Sequence, residues 1–245
     1  MMEQMSDRLL GMQWHPAWDE LRAYLGDRYR EEWENGSDQK VLDEFGLYPD
    51  AATFYRETEV YLYHSAAYAI EGYKRPHLSR LLMMLGNYNA TILDYGCGPG
   101  WDGLTMIYAG LMVSFADLPG KSLEFLRWRL NRRSFNSPVY AIGVDAIPRH
   151  DIIWCMDALE HIPSAEQRSF LDHLADLGQA VFVNLVRDPD ADGTLHHPVD
   201  VDGLTAYLRG KHSVGWADYY QGRHRLLVYG DLQAGERLPG SDRTA

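Results

Sequence analysis

From about residue 90 onward, short apolar runs alternate with amphipathic stretches, the pattern expected of a parallel sheet with crossover helices. The predicted strands are 91–95, 111–116, 139–144, 151–156, 180–186, 214–216 and 224–229. The predicted helices are 121–133, 201–208 and one that begins at a capping box of Ser164 and Gln167 and ends before Gly178. We expect residues 221–223 to join the last two strands. The pattern therefore predicts an α/β fold: a seven-stranded, mostly parallel sheet with flanking helices and a C-terminal β-hairpin.

The first 88 residues lack this alternation and are predicted to form helices, for instance 51–68 and 76–85. Nine of the sixteen tyrosines lie here. Their rings either pack the helices onto the sheet or line a substrate cavity under a lid, in which case Tyr63 is a catalytic candidate. We thus predict a helical N-terminal cap at 1–88, a ligand-binding domain at 89–232 and a loose tail at 233–245.

Composition limits the function classes. The formal net charge is −12, which opposes binding to a phosphate backbone, so no nucleic-acid partner is expected. Arg127, Arg129, Arg132 and Arg133 cluster, and we interpret them as the solvated face of a helix. No apolar stretch approaches the roughly 18 residues of a membrane span, and no basic leader opens the chain. We therefore expect a soluble, cytoplasmic protein with two free cysteines and no membrane partner.

The chemistry is expected in the glycine-rich stretch 92–103, which directly follows the first strand. Glycines there allow a tight turn and close approach of a ligand to the backbone. Gly98, Gly100 and Gly103 also fit the dinucleotide pattern, with Asp117 downstream as a ribose acceptor. Asp94, however, places a carboxylate at the strand tip, which would repel a pyrophosphate and attract a cationic amino-acid group. This favours S-adenosylmethionine (SAM) over a nicotinamide dinucleotide.

The segments D-Y-G-C-G-P-G, V-D-A and D-I-I-W-C-M-D-A-L-E-H-I-P resemble those of the class I SAM-dependent methyltransferase family, over roughly residues 90–186. The resemblance implies a Rossmann-like fold with SAM as cofactor. It also implies roles for particular residues. The methionine portion would be held by Asp94, Gly96, Gly98 and Gly100, with Cys97 in the same loop. The adenosine would be held by Asp117 at the ribose, by Leu118, Asp145 and Ala146 at the adenine, and by the backbone of Cys155 and Met156.

Methyl transfer from a sulfonium depends on alignment, helped by a base where the nucleophile carries a proton. His161 is one candidate base, and a packing histidine is the alternative. His197, in the stretch 196–200, is a second candidate for a base or a substrate contact; a surface turn is the alternative. No third spaced ligand accompanies these histidines, so no metal is predicted. Asn184, inside an apolar strand, is expected to satisfy neighbouring backbone.

The segment after the fourth strand lacks the N-P-P-Y or D-P-P-Y box of relatives that methylate amide or nucleobase nitrogens. We therefore expect a small or medium organic acceptor, methylated at oxygen, nitrogen or carbon, in secondary or specialised metabolism. Three other functions stay open at this point. They are a SAM-using enzyme that cyclises or transfers the aminocarboxypropyl arm, a SAM-binding non-catalytic subunit, and a nicotinamide-dependent oxidoreductase. A homodimer is also allowed for.

Overall fold

A computed structural model describes residues 17–35, 37–72, 74–85, 89–187, 195–220 and 224–230. Its centre is a sheet of seven strands: β1 (Thr91–Tyr95), β2 (Met112–Asp117), β3 (Val139–Ala141), β4 (His150–Cys155), β5 (Gly178–Val186), β6 (Ser213–Tyr220) and β7 (His224–Gly230). Their order across the sheet is β3-β2-β1-β4-β5-β7-β6. Strands β1 to β5 pair in parallel, whereas β7 runs antiparallel to both β5 and β6. The predicted α/β fold is confirmed.

Strand β1 occupies the middle of the sheet. Its Asp94 is paired in register with Phe115 of β2 on one side and with Trp154 of β4 on the other. The order of the strands reverses beside β1, because the chain builds outward first through β2 and β3 and then through β4 and β5. In an open parallel sheet, ligands bind outside the carboxyl ends of the strands at this switch point. The glycine-rich loop after β1 lies there.

The third strand is shorter than the predicted 139–144. It ends at Ala141 because the chain turns back at that residue: the amides of Val144 and Asp145 both donate to the Ala141 carbonyl, at 3.0 and 2.9 Å. The Asp145 carboxylate in turn accepts a hydrogen bond from the Ala141 amide at 2.7 Å. The prediction for residues 142–144 was therefore wrong.

Four helices flank the sheet in the described part of the chain: α6 (Trp101–Tyr108), α7 (Lys121–Arg132), α8 (Gln167–Leu177) and α9 (Val201–Lys211). Helices α1 to α5, within residues 17–85, precede them in the sequence. The predicted capping box was wrong, since α8 begins at Gln167. The Ser164 hydroxyl donates to the Pro198 carbonyl, and the Gln167 amide donates to the carbonyls of Ile162 and Pro198. Both side chains thus hold the loop that precedes α9.

We call the helices in the described part of residues 17–85 the cap: α1 (Ala17–Leu25), α2 (Ser37–Phe45), α3 (Ala51–Glu57), α4 (Val60–Glu71) and α5 (Arg75–Met84). The predicted helix 51–68 is in fact two helices, broken at Thr58, whose backbone is extended. The Thr58 hydroxyl accepts from the Val60 amide at 3.1 Å and donates to Glu44 at 2.7 Å. A threonine bonded in this way ends one helix and starts the next.

The cap and one face of the sheet share a single hydrophobic core. Leu21 and Leu62 of the cap belong to the same buried cluster as Phe115 and Trp154 of the sheet. A second cluster fills the opposite face, under α8 and α9. Because the cap buries its apolar side against the sheet, the aromatic residues around residue 63 serve largely as packing.

The predicted solvated arginine face of α7 was wrong for Arg129, which is fully buried. Its guanidinium donates to the Pro99 carbonyl at 2.5 Å, pairs with Glu20 of α1 at 2.9 Å and lies 3.6 Å from the centre of the Trp101 ring. Arg129 therefore ties the cap to the loop after β1. The predicted hairpin residues 221–223 and the predicted tail from 233 onward lie outside the described residues.

Among the described helices, none combines the length and the apolar character needed to cross a membrane.

Candidate active site

The loop after β1 turns sharply, and three of its glycines have left-handed backbone angles. The φ angles are +70° at Gly96, +52° at Gly98 and +77° at Gly100. The amides of Gly96 and Cys97 both donate to the Ala116 carbonyl of β2, at 2.8 and 3.2 Å. Other residues are strained at such angles, so glycine is needed for this turn.

The inner side of this loop is closely packed. A Cβ at Gly100 would lie 2.5 Å from a methyl of Leu126, and one at Gly103 would lie 2.2 Å from the Phe115 ring. These two glycines let α6 start directly against the sheet. The first amides of α6 consequently point towards the carboxyl end of β1, as in nucleotide-binding folds.

The outer side of the loop has more room. A Cβ at Gly98 would meet its nearest neighbour, the Tyr61 ring of the cap, only at 4.0 Å. At Gly96 the nearest atom would be the Ala158 Cβ at 3.1 Å. The backbone of Gly98 is therefore less crowded than that of Gly100 or Gly103, and the Tyr61 ring of the cap lies next to it. We call this loop, residues 96–100, the cradle.

Asp94 lies at the end of β1, buried to 3% exposure. Its carboxylate accepts a hydrogen bond from the Gly103 amide at 2.9 Å, so it holds the first turn of α6. Burial raises the pKa of Asp94 well above its ordinary value, the charge of Asp102 adds to this, and Lys74 opposes it. The structure thus gives Asp94 a backbone partner, and its contact with the methionine part of SAM stays a prediction.

Asp117 ends β2 beside the cradle. One carboxylate oxygen accepts from the Gly98 amide at 2.5 Å and the other from the Leu118 amide at 2.6 Å. Burial raises the pKa of Asp117 to about 6, although both hydrogen bonds lower it. Each oxygen keeps a further lone pair, so a carboxylate held in this way can still accept hydrogen bonds from a vicinal diol such as a ribose.

A lysine of the cap reaches this edge of the sheet. The Lys74 ammonium lies 3.1 Å from Asp157, just after β4, and 3.5 Å from Asp102 in the first turn of α6. Burial works against its charged form, but Asp102, Tyr61 and Asp94 outweigh this and raise the pKa of Lys74. The lysine therefore stays charged and links the cap both to the first turn of α6 and to the residues after β4.

Asp157 is held in an unusual conformation. Its φ is +51°, a region that only a few non-glycine residues adopt. Asn184 of β5 stabilises it twice, accepting from the Asp157 amide at 2.7 Å and donating to its carboxylate. Asn184 thus satisfies neighbouring backbone, as expected. Non-glycine residues strained in this way cluster at functional sites, which makes Asp157 a site residue that the sequence analysis missed.

The edge of the sheet around the cradle is strongly acidic. Five carboxyl groups lie at this edge, and Lys74 pairs with Asp102 and Asp157. Burial raises the pKa of four of the five, so a cationic ligand would favour their charged forms: Asp94, Asp117, Asp157 and Glu160. Such a surrounding disfavours a pyrophosphate and favours a ligand with cationic centres. A sulfonium and an ammonium on one molecule match it. The residues present therefore fit SAM better than a dinucleotide.

The remaining predicted cofactor residues lie at the ends of neighbouring strands. Leu118 follows Asp117, while Cys155 and Met156 end β4 and are buried. Asp145 and Ala146 lie in the exposed turn after β3. The structure brings these residues to the same edge of the sheet as the cradle. Their contacts with adenine stay a prediction.

His161 lies in a short 3-10 turn, Leu159–His161, between the sheet edge and the cap. Its Nδ1 lies 3.0 Å from the Tyr55 hydroxyl of α3 and 3.2 Å from the Leu195 carbonyl. Burial lowers the pKa of His161 to about 4, and His64 and His197 also lower it. The ring is therefore neutral at physiological pH, as a base must be.

The second histidine candidate lies next to the first. The His197 amide donates to the Glu160 carbonyl at 2.7 Å, and the His196 ring lies 4.9 Å from that of His161. Asp200 caps α9 by accepting from the Gly203 amide at 2.9 Å. Within the described residues, no three metal-binding side chains are arranged to hold an ion. The structure thus brings His161 and His197 together, and the role of each stays a prediction.

Tyr63 lies elsewhere. Its side chain is fully buried, its hydroxyl accepts from the Arg30 amide at 2.7 Å, and its ring contacts those of Trp18, Tyr29 and Trp33. These are the contacts of a packing residue in the cap. The cap tyrosines near the cradle and His161 are Tyr61 and Tyr55 instead.

Comparisons with known proteins agree with this geometry. No family model matches the chain. Curated relatives include ubiquinone biosynthesis O-methyltransferases from Bordetella pertussis, 33% identical over 79 residues, and from Nitrosomonas europaea, 32% identical over 108 residues. The matched segments cover 29% and 40% of this chain. The chain spans only 32% and 45% of the length of these two relatives.

Solved structures match over more of the chain. Magnesium protoporphyrin IX methyltransferase from Synechocystis PCC 6803, solved with bound S-adenosylhomocysteine (SAH), gives a TM-score of 0.56 at 15% identity. The match covers 81% of this chain and 96% of that protein. An O-methyltransferase family protein from Burkholderia thailandensis gives 0.52 at 17% identity, covering 68% and 58% of the two chains. At these identities the likeness concerns the fold.

The chain thus has the fold of these methyltransferase structures, and its matched segments are similar to those of the curated O-methyltransferases.

Proposed function

We propose that this protein is a SAM-dependent methyltransferase that acts on a hydroxyl oxygen of a small or medium organic molecule. The observation that carries the proposal is the acidic edge of the sheet around the cradle, where Asp117 is bonded to the Gly98 amide. That arrangement suits a nucleoside with a cationic amino-acid arm and opposes a dinucleotide.

The donor would be held by backbone and carboxylates. Its methionine arm would be held by Asp94, Gly96, Gly98 and Gly100, with Cys97 in the same loop. Asp117 would accept from its ribose hydroxyls. Adenine would lie towards Leu118, Asp145 and Ala146, with Cys155 and Met156 closing the pocket. When bound, the donor supplies a methyl group on a sulfonium, whose C–S bond breaks with the electron pair going to sulfur.

Oxygen is the favoured atom for two reasons. The curated relatives are named O-methyltransferases, although each matches over less than half of its length. A neutral histidine, His161, also lies beside the acidic edge, and a hydroxyl acceptor needs a base to take its proton. His197 would contact the acceptor from the neighbouring segment.

The relatives' names specify ubiquinone biosynthesis, so the specialised-metabolism setting expected from the sequence has no support among them. We also propose that the protein acts in the cytoplasm. We further propose that the chain has two parts, with residues 1–88 forming a cap over the ligand-binding part at 89–232. A homodimer also stays a proposal.

The test is incubation of the purified protein with SAM and a panel of phenols, alcohols and carboxylic acids, with mass-spectrometric detection of products. We expect SAH and an acceptor heavier by one methyl group in equal amounts. Release of methylthioadenosine instead would overturn methyl transfer in favour of a reaction at another carbon of SAM. Binding of SAM without turnover of any acceptor class would favour a non-catalytic subunit.

A further inference from the structure

The His161 ring contacts both the cap and the 195–197 segment. Its ring lies 5.1 Å from that of Tyr55, edge-on, and 4.9 Å from that of His196. Tyr55 belongs to α3 of the cap, whereas His196 follows the connection after β5. The position of His161 therefore depends on parts of the chain that are far apart in the sequence.

The two oxygens near Nδ1 decide where the ring carries its hydrogen. The Leu195 oxygen is a backbone carbonyl, which can only accept, and it lies 3.2 Å from Nδ1. A hydrogen bond between them requires the hydrogen to be on Nδ1. The Tyr55 hydroxyl oxygen, 3.0 Å from the same nitrogen, must then accept as well. Both contacts are satisfied only by the Nδ1–H form of the ring.

The charge state of the His161 ring decides whether one of its nitrogens has a free lone pair. Burial lowers the pKa of His161, and the groups near its ring are Tyr55 of α3, His64 of α4, and His196 and His197 of the 195–197 segment. The ring is neutral at pH 7 to 8. A neutral imidazole with hydrogen on Nδ1 has its free lone pair on Nε2.

We propose that the Leu195 carbonyl fixes His161 as the Nδ1–H tautomer and that the Tyr55 hydroxyl holds the ring in place, so that Nε2 takes the proton of the acceptor hydroxyl. The inference rests on the proposed function and deepens it, because it makes the cap part of the catalytic machinery. The acceptor O–H bond breaks with its proton going to Nε2 while the oxygen forms its bond to the methyl carbon. The C–S electron pair goes to sulfur, and Nε2 later releases the proton to water. Tyr55 is thus a positioning residue.

The acceptor class follows from the surroundings. The rings of Tyr55 and Tyr61 pack edge-on at 4.9 Å, and Tyr61 lies between Tyr55 and His64. A base beside several aromatic faces suits a planar acceptor whose hydroxyl is acidic, such as a phenol, better than an aliphatic alcohol.

The first measurement needs neither SAM nor an acceptor. Long-range 1H–15N correlation spectra of histidine-labelled protein distinguish a protonated ring nitrogen from one with a free lone pair. The signals of His161 are assigned by their loss in His161→Asn. At pH 7.5 we expect a protonated Nδ1 and an unprotonated Nε2 in the native protein. Tyr55→Phe keeps the Leu195 carbonyl, so we expect the same tautomer there, with the Nδ1 signal shifted by the loss of one hydrogen-bond partner. An Nε2–H tautomer in the native protein would overturn the proposal.

The second measurement is kinetic. Tyr55→Phe keeps the ring and removes the hydroxyl, so we expect kcat with a phenol to fall about tenfold while the KM for SAM changes less than about twofold. Tyr48→Phe is the matched control: its ring also packs on Phe54, but its hydroxyl bonds Glu44, so kcat should not change. An unchanged kcat in Tyr55→Phe would contradict the positioning role of Tyr55.

The two proposals fail differently. If the proposed function fails, the native protein binds no SAM or methylates no hydroxyl, whatever the tautomer of His161. If only this inference fails, methylation of a phenol is observed while His161 shows the other tautomer, or Tyr55→Phe behaves like Tyr48→Phe.

Discussion

The sheet edge and the cap contribute to the site by different physical means. At the sheet edge, the cradle is made of backbone and short carboxylates, and its residues lie within one loop and the ends of adjacent strands. In the cap, the contribution comes from long side chains, Lys74, Tyr61 and Tyr55, which reach the site because helices pack on the sheet. The donor side is therefore local in the sequence, and the acceptor side is assembled by tertiary packing.

The two regions should also differ in their tolerance of substitution. A glycine turn with fixed φ angles tolerates little change, whereas the apolar face of the cap tolerates volume-conserving hydrophobic exchanges. We expect donor binding to depend on the sheet edge alone, and turnover to depend on both. Substitutions in the two regions should therefore separate the contribution of the sheet edge from that of the cap.

Replacing His161 by asparagine should lower kcat about a thousandfold, because the proton acceptor is lost. SAM affinity, measured by calorimetry, should change less than about twofold. His173→Asn, on the exposed side of α8, is the control and should leave kcat unchanged. A large loss of SAM affinity in His161→Asn would mean that the donor and acceptor sides are not separable.

Replacing Arg129 by methionine should lower the free energy of unfolding by about 3 kcal/mol. The change removes the buried guanidinium, so the Pro99 carbonyl and the Glu20 carboxylate lose the hydrogen bonds that it donates. Urea denaturation measures this. Arg132→Met on the same helix is the control, since Arg132 is exposed and should change stability by less than about 0.5 kcal/mol. Equal effects of the two changes would contradict a tie between cap and cradle through Arg129.

Replacing Gly100 by alanine should lower stability by about 2 to 3 kcal/mol and weaken SAM binding, since both backbone strain and the clash with Leu126 oppose a side chain. Gly110→Ala isolates the strain. Its φ is +89°, but no atom lies within 4 Å of the added carbon, so about 1 kcal/mol is expected with normal SAM affinity. A similar loss of affinity in both variants would speak against a crowded cradle.

Replacing Asp117 by asparagine should weaken SAM binding about tenfold at pH 8, because one acceptor for the ribose becomes a donor. In the native protein, affinity should also fall as pH drops through about 6, where Asp117 gains a proton. This fall should be absent from Asp117→Asn.

The stability effect of the Asp117 pKa has the opposite sign. A carboxyl group whose pKa is raised on folding binds its proton more tightly in the folded protein. Its contribution to stability is therefore largest below the ordinary carboxyl pKa and is lost as pH rises through about 6. Denaturation of the native protein and Asp117→Asn at pH 5 and pH 8 should show this as a difference in slope.

Replacing Lys74 by methionine should have the smallest effect, a loss of about 1 kcal/mol of stability. The lysine is partly exposed, and its two carboxylate partners still accept hydrogen bonds from Trp154 and Asn184. Hydrogen exchange at the start of α5 should become faster. Lys74→Arg keeps the charge and should restore most of the protection. No change in exchange would mean that Lys74 does not link the cap to the sheet.

The sequence predicted the sheet, the cradle and Asp117 because these depend on alternation, glycine spacing and strand ends, which are local signals. It did not predict Asp157, although the residue directly follows a predicted strand, since its strained backbone depends on Asn184 across the sheet. Lys74 and Tyr55 left no local signal, and Tyr63 was chosen from a tyrosine-rich stretch in which burial cannot be read. The short β3 was missed because the Asp145 turn competes with strand extension.

The central claim is that the acidic cradle recognises SAM and its product and rejects dinucleotides. Isothermal titration of the native protein with SAH, SAM and NAD tests it directly. The account predicts micromolar or tighter binding of SAM and SAH, none of NAD, and loss of SAH binding in Gly100→Ala. Failure to bind either SAM or SAH, or binding of NAD with similar affinity, would contradict it.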